Sequence, residues 1–273
     1  MINFGLVGGT LATGTMYWLA TILTVLYIAF VDGHQAWAAP TRHVLRDLTP
    51  FARLMGYGLT MVGAEWWAFE LIAIAAGTMG HTQVAAQSIL MTTDSMLALV
   101  PFGLGVASTN RVASLIGRGQ MQEARLAARA SSCIAFANGC LTTTLILALR
   151  GQISRAFAED PAVISLAVSV FPWGAAFQVV DSLQAANSGC LRAIGRADIG
   201  ATVNLFAYYA VALPLGLGTG IWLDWGLHGL WVGLATALAI VGIGECALVN
   251  LVSWDRYTDL DKAKAAAEEE AFI

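Results

Sequence analysis

Five acidic residues, Glu65, Glu70, Asp94, Asp181 and Glu245, stand inside long apolar runs, and no Lys or Arg is expected at similar depth to pair with them. Placing an ionised carboxylate at the centre of a bilayer costs about 2.5–3.5 kcal/mol on insertion scales, which makes each such residue a functional candidate by default. Carboxylates without a resident cation suit the holding of protons, Na+ or a cationic solute in a wet cavity. The chemistry expected of them is reversible ion binding. For Glu65 and Asp181, deep in their runs, the competing reading is a buried structural hydrogen bond. For Asp94 and Glu245, nearer the ends of theirs, it is a side chain that reaches the interface. Glu65 and Glu70 lie five positions apart, about 140° around a helix. They cannot both face one cavity squarely: Glu65 shares a face with Phe69, and Glu70 with Trp66.

The other reactive side chains do not assemble into an enzyme. His34, His43, His81 and His228 fall in connections, well separated and without zinc spacing. The sequence has no G-x-S-x-G, no H-E-x-x-H and no P-loop, so neither an enzymatic activity nor a metal or organic cofactor is expected. Cys133, Cys140, Cys190 and Cys246 lie within or at the ends of apolar runs, form no CxxC pair and read as buried free thiols.

The elements that carry the carboxylates are membrane helices. Of 273 residues 58% are hydrophobic and 12% charged, with a mean hydropathy of +0.69; soluble domains carry about 25% charged residues. So few polar groups cover a chain of this length only if lipid is the solvent for much of its surface. The net charge of −4 gives no reason to expect a nucleic-acid partner. Seven runs are long enough to span, at about 3–31, 54–77, 84–110, 130–149, 161–190, 199–223 and 229–253. Their length and lack of alternation exclude strands. The expected fold is therefore all-α: a polytopic transmembrane bundle of about seven spans.

Basic residues orient it. Alternate connections hold Arg42, Arg46 and Arg53; Arg111, Arg118, Arg125 and Arg129; Arg192 and Arg196; and Arg256, Lys262 and Lys264. The opposite side holds Arg150 and Arg155, which completes the 14. The positive-inside rule then puts the C-terminus in the cytoplasm and the N-terminus outside. No basic region or small-residue cleavage site marks the first run as a signal peptide, and an external N-terminus before it suggests a segment upstream. Arg118 to Arg129 reads as an amphipathic cytoplasmic helix running into the fourth span. Trp18, Trp37, Trp222, Trp225, Trp231 and Trp254 read as interfacial rings, and Pro101, Pro172 and Pro214 as kinks within spans. The Ala/Glu/Lys-rich stretch at about 259–270 reads as a solvated helix.

Glu65-Trp66-Trp67-Ala68-Phe69-Glu70 resembles the E-W-W-x-[FY]-E signature of the multidrug and toxic compound extrusion (MATE) family, eukaryotic and fungal-like branch. The likeness continues in order through Ala85-Ala86-Gln87-Ser88-Ile89, Val100-Pro101-Phe102-Gly103 and Ser108-Thr109-Asn110-Arg111-Val112. It extends to Asp181-Ser182-Leu183-Gln184, Gly189-Cys190-Leu191-Arg192, Gly200-Ala201-Thr202-Val203-Asn204, Leu213-Pro214-Leu215-Gly216 and Gly229-Leu230-Trp231-Val232-Gly233. The chain departs from the pattern at Tyr57, where Pro is usual, at Ala113-Ser114 for Gly-Asn, and at Ala193 for Gly.

The resemblance implies twelve helices in two six-helix lobes, of which this chain would hold the second lobe and one preceding helix. On that reading, 1–32 is the last helix of an otherwise missing N-terminal lobe and 33–53 a cytoplasmic linker. Residues 54–254 form the C-terminal lobe and 255–273 a cytoplasmic tail. It implies secondary active transport, H+ (or Na+) coupled antiport of organic cations or xenobiotics, by what would be an incomplete copy in the plasma or vacuolar membrane. Glu65 and Asp181 would bind the coupling ion, while Glu70, Gln87, Asn204, Tyr208 and Trp66 would line the cavity, with Phe69 another candidate ring for a cation. Expected partners are the lipid bilayer, an amphipathic or cationic small molecule, and the missing lobe or another copy. The competing reading is a truncated, non-transporting membrane subunit that associates with a full-length exporter and regulates it.

Overall fold

The structure, a computed structural model, describes residues 5–31 and 48–251. The greater part of the expected linker, the tail, Trp37 and Trp254 lie outside the described residues. Among those described, seven helical stretches are long and apolar enough to cross a membrane, as expected, and they make an all-α, multi-pass membrane protein. The chain divides into two compact units, Met1–Thr49 and Pro50–Ile273.

The first unit contains α1 (Gly5–Phe30), whose 26 residues include no charge. At 1.5 Å per residue it is about 39 Å long, enough to cross a hydrocarbon core of about 30 Å. Its Thr15, Thr21 and Thr24 hydroxyls each donate to the carbonyl four residues back, which satisfies them without any partner outside the helix.

The second unit is built around one helix. It comprises α2 (Leu48–Thr78), α3 (His81–Leu97), α4 (Leu99–Gly117), α5 (Met121–Phe157), α6 (Pro161–Ala193), α7 (Ala197–Leu205), α8 (Leu213–Leu217) and α9 (Leu227–Leu251), with π-helical turns at Phe206–Ala212 and Gly218–Trp222 on either side of α8. Helix α6 packs against α3, α4, α5, α7 and α9. Lipid supplies little hydrophobic drive for such packing, so close backbone approach has to provide it. Three neighbours each present a glycine to α6. A Cβ on Gly105 of α4 would lie 2.6 Å from the Ala185 carbonyl oxygen, one on Gly139 of α5 2.6 Å from the Val179 Cα, and one on Gly242 of α9 2.5 Å from the Val180 carbonyl oxygen. Polar bonds reinforce the α5–α6 seam: Thr143 donates to the Ala175 carbonyl at 2.6 Å, Ser132 to Asn187 at 2.9 Å, and Asn138 to Ser182 at 3.1 Å.

Two features depart from the sequence reading, Trp231 and the cysteines, and two spans refine it. Trp231 is no interfacial ring; it is 1% exposed, stacks edge-on against Phe177, which in turn meets Phe69, and donates its indole N–H to Gln87 at 2.7 Å. The third span runs from His81 to Gly117 and breaks at Ala98, because Pro101 has no N–H to give the Leu97 carbonyl. The fourth, at 37 residues, is about 55 Å long and takes in the expected amphipathic segment from Met121 to Arg129, with Arg118, Gly119 and Gln120 in the turn before it. All four cysteines are free, but Cys133 and Cys140 are exposed on the outer side of α5 among apolar residues such as Ile134 and Leu141; only Cys190 is buried.

Candidate functional site

A cavity of about 540 Å³ opens within the second unit between α2, α4, α6 and α7. Helical spacing builds its walls. Met61, Val62, Glu65 and Trp66 form one stripe of α2, and Pro101, Phe102, Gly105 and Val106 one stripe of α4. Asp181, Gln184, Ser188 and Arg192 follow one another along α6 at three- and four-residue intervals, and Asn204 comes from α7. The break at Ala98 places that residue in the wall as well. Trp66 and Phe102 are each 70% exposed and mark an open, apolar side.

The two carboxylates expected to act together do share this cavity. Glu65 accepts a hydrogen bond from the Gln184 amide at 3.3 Å. Asp181 is 8% exposed and, among the described residues, its carboxylate accepts no hydrogen bond and meets no Lys or Arg within ion-pair distance. The ion pair that does form, Arg196–Asp198 at 3.4 Å, lies at the α6–α7 turn, outside the cavity lining. Trp66 and Asn204 line the cavity, and the Asn204 amide donates to the Met61 carbonyl at 2.9 Å, tying α7 to α2. Tyr208, in the π-helical turn after α7, is fully buried behind the wall with its hydroxyl facing Glu65 and Asp181. Glu70 and Gln87 are not in the lining. Glu70 is exposed one turn beyond Trp66 on α2, and Gln87 is buried against Trp231.

Packing decides between the two readings that depth leaves open for Asp94 and Glu245, and it adds Arg192 and Gln184, to which the sequence reading gives no role in the site. Asp94 does not reach toward an interface; it accepts from the Gln178 amide at 2.7 Å and faces both Glu65 and Asp181. Glu245 is completely buried and accepts the Ser188 hydroxyl at 2.5 Å. Arg192 belongs to α6 and lines the cavity, although charge counting puts it in a connection, so the second unit does hold a basic group near its carboxylates. Gln184, one turn along α6 from Asp181, holds Glu65 through its amide. The signal for the α6 residues was available: Asp181, Gln184, Ser188 and Arg192 make a polar stripe on an otherwise apolar helix. Among the described residues no group of three or more His, Cys, Asp or Glu is placed to hold a metal ion.

The arrangement is an acidic recess with aromatic and aliphatic walls, and carboxylates in such a setting suit reversible binding of protons or a cation. Comparison with known proteins agrees with that architecture. An uncharacterized transporter of Schizosaccharomyces pombe is 34% identical over 259 residues, covering 95% of this chain and 48% of the relative. The multidrug and toxin extrusion protein 2 of Mus musculus is 29% identical, covering 97% of this chain and 46% of that protein. The crystal structure of the eukaryotic MATE transporter AtDTX14 superposes with a TM-score of 0.89 at 26% identity, over 96% of this chain and 60% of that one. The chain thus spans about half the length of the curated relatives it matches. The MatE family model matches residues 59–217, which contain the whole cavity lining apart from Gly58, and the chain belongs to that family.

Proposed function

We propose that this chain forms the ion-coupling part of a secondary transporter that exports organic cations or other xenobiotics in exchange for H+ or Na+. The observation that carries the reading is the pair Glu65 and Asp181 at the wall of an apolar cavity, with no Lys or Arg within ion-pair distance among the described residues. A proton or Na+ and an organic cation can each neutralise such a pair, and competition between them is the basis of exchange. Glu65 and Asp181 bind the driving ion. Trp66 and Asn204 meet the exported solute, Tyr208 backs the carboxylates, and Gln87 holds α9 through Trp231. Glu70, one turn from Trp66 on the open side, meets solute or partner there. The basic connections lie in the cytoplasm, and the membrane is the plasma or the vacuolar membrane. The partner is the part of the relatives that this chain does not match, the leading half by the family resemblance, or another copy of this chain.

The test is transport in liposomes that hold this chain together with the leading half of its Schizosaccharomyces pombe relative. Glu65→Gln should abolish gradient-driven efflux of a fluorescent organic cation while leaving insertion and folding intact, and Asp181→Asn should abolish it or move its pH optimum. Wild-type efflux in both variants across the neutral pH range would remove the assignment.

A further inference from the structure

Behind the cavity wall lies a carboxylate that the exchange site does not use. Glu245 of α9 is 0% exposed, so its side chain does not reach an interface. Its Oε2 accepts the Ser188 hydroxyl at 2.5 Å, while Oε1 has no hydrogen-bond partner among the described residues. That second oxygen rests against Gly200, where a Cβ would come within 3.3 Å of it, beside the end of Met61. Ser188 itself lines the cavity, so one hydroxyl separates Glu245 from the solute space.

The charged and titratable groups facing Glu245 are Arg192 and Cys190 of α6, Glu65 of α2 and Tyr208 of the π-helical turn, with Cys246 beside it in the chain. Arg192 is the one cation among them, and it too lines the cavity. An ionised carboxylate with an unpartnered, fully buried oxygen is costly, and a bound cation or proton relieves that cost. A proton on Oε2, the oxygen bonded to Ser188, leaves Oε1 a neutral carbonyl oxygen, whose unpartnered burial costs less than that of a carboxylate.

We propose that Glu245 is a second proton-binding carboxyl, and that its charge decides whether Arg192 stands balanced or unbalanced at the cavity wall. With Glu245 ionised, Ser188 donates to it and Arg192 faces a counter-charge. A proton taken up by Glu245 reverses that hydrogen bond: the carboxyl O–H donates to Ser188 Oγ, the serine hydrogen turns toward the cavity, and Arg192 loses its counter-charge. Only the proton changes hands. The consequence, which rests on the exchange reading, is that an organic cation meets a wall whose Arg192 is balanced when Glu245 is ionised and one positive charge greater when Glu245 is protonated. Proton and solute then exclude each other even though they do not share atoms.

Two measurements on the purified chain, assembled in lipid with the leading half of its Schizosaccharomyces pombe relative, test this. Infrared difference spectra between acidic and alkaline pH should contain a carboxyl C=O band that Glu245→Gln removes, that Glu65→Gln and Asp181→Asn retain, and that Ser188→Ala shifts through loss of its hydrogen bond. If Glu245→Gln leaves every titrating carboxyl band in place, or if, where that variant does not fold, Ser188→Ala shifts none, the proposal is overturned. Binding of tetraphenylphosphonium should weaken on acidification in the wild type. It should be weak at every pH in Glu245→Gln, by roughly tenfold for one uncompensated charge nearby, and return in Glu245→Gln with Arg192→Gln. Wild-type binding in Glu245→Gln, or no recovery in the double variant, overturns the charge-balance part. If the wild type binds no organic cation at any pH, the exchange reading fails, and the infrared band still decides the fate of Glu245.

Discussion

Glu65 and Asp181 share a cavity but have different surroundings. Glu65 is held by the Gln184 amide, whereas Asp181 has no such donor among the described residues. Asp94 stands near both and takes its own hydrogen bond from Gln178, whose other amide atom, Oε1, is buried without a partner among the described residues. Asp94 therefore adds to the negative potential of the recess without lining it. Asp94→Asn keeps the size and the bond from Gln178 and removes the charge. It is expected to cut gradient-driven efflux several-fold and to leave tetraphenylphosphonium binding detectable, whereas Glu65→Gln abolishes efflux. Asp94→Asn efflux equal to wild type would leave Asp94 a purely structural residue. Which of these residues the sequence discloses follows from what depth alone can tell. A carboxylate in the middle of a 20-residue apolar run stands out, and so Glu65 and Asp181 were legible. Near a run's end, reaching outward and packing inward differ only in which helix face meets a neighbour, and that is a tertiary fact. Asp94 and Glu245 therefore stay between the two readings until the packing is seen. Arg192 was misplaced because counting basic residues assigns every arginine near a boundary to a connection, while α6 continues through it to Ala193.

At the scale of elements, α6 gathers the site. It contributes Asp181, Gln184, Ser188 and Arg192 along one stripe, and its remaining faces are fixed by the glycines of α4, α5 and α9. Gly139→Val forces side-chain atoms into the Val179 backbone and is expected to cost about 1–3 kcal/mol, as overpacking of a tight contact does. Gly103→Ala meets nothing within 4 Å and should be neutral or slightly stabilising. Thermal unfolding in detergent separates the two: equal midpoints would show that the α5–α6 seam yields. The number and order of the helices were readable from apolar length, as was the break at Pro101. The two π-helical turns around Pro214 were not. A π-turn inserts one residue's worth of register, and only packing selects where it falls. Here the first turn sets Tyr208 behind the carboxylates, and the second brings Gly220 close to the Gly226 carbonyl and Leu230 of α9.

For the whole molecule, orientation and completeness decide function. The turns at His81 and Asp224 belong to one end of the lobe, since the Leu227 N–H donates to the Gln83 side chain at 3.3 Å. Gly119 lies in the α4–α5 turn, after the third span has crossed. With the four native cysteines replaced, single cysteines at His81 or Asp224 are expected to react with an impermeant thiol reagent on intact cells, and one at Gly119 only after permeabilisation; the reverse pattern would invert the topology. The chain covers 48% of its Schizosaccharomyces pombe relative, and its cavity has an open side bordered by the exposed Trp66 and Phe102. Alternating access requires two bundles that rock about a shared site. Each helix satisfies its own backbone in lipid, so the six spans of the second unit are expected to insert and fold. With lipid against the open side, however, a lumen-facing carboxylate has too little water to exchange ions. Residues 1–273 reconstituted alone, with a pH gradient and a fluorescent organic cation, are therefore expected to show no gradient-driven transport, and adding the relative's leading half should restore it. Saturable transport by the chain alone that disappears in Glu65→Gln would instead establish a working assembly of identical half-transporters, with the second copy closing the cavity that this one leaves open.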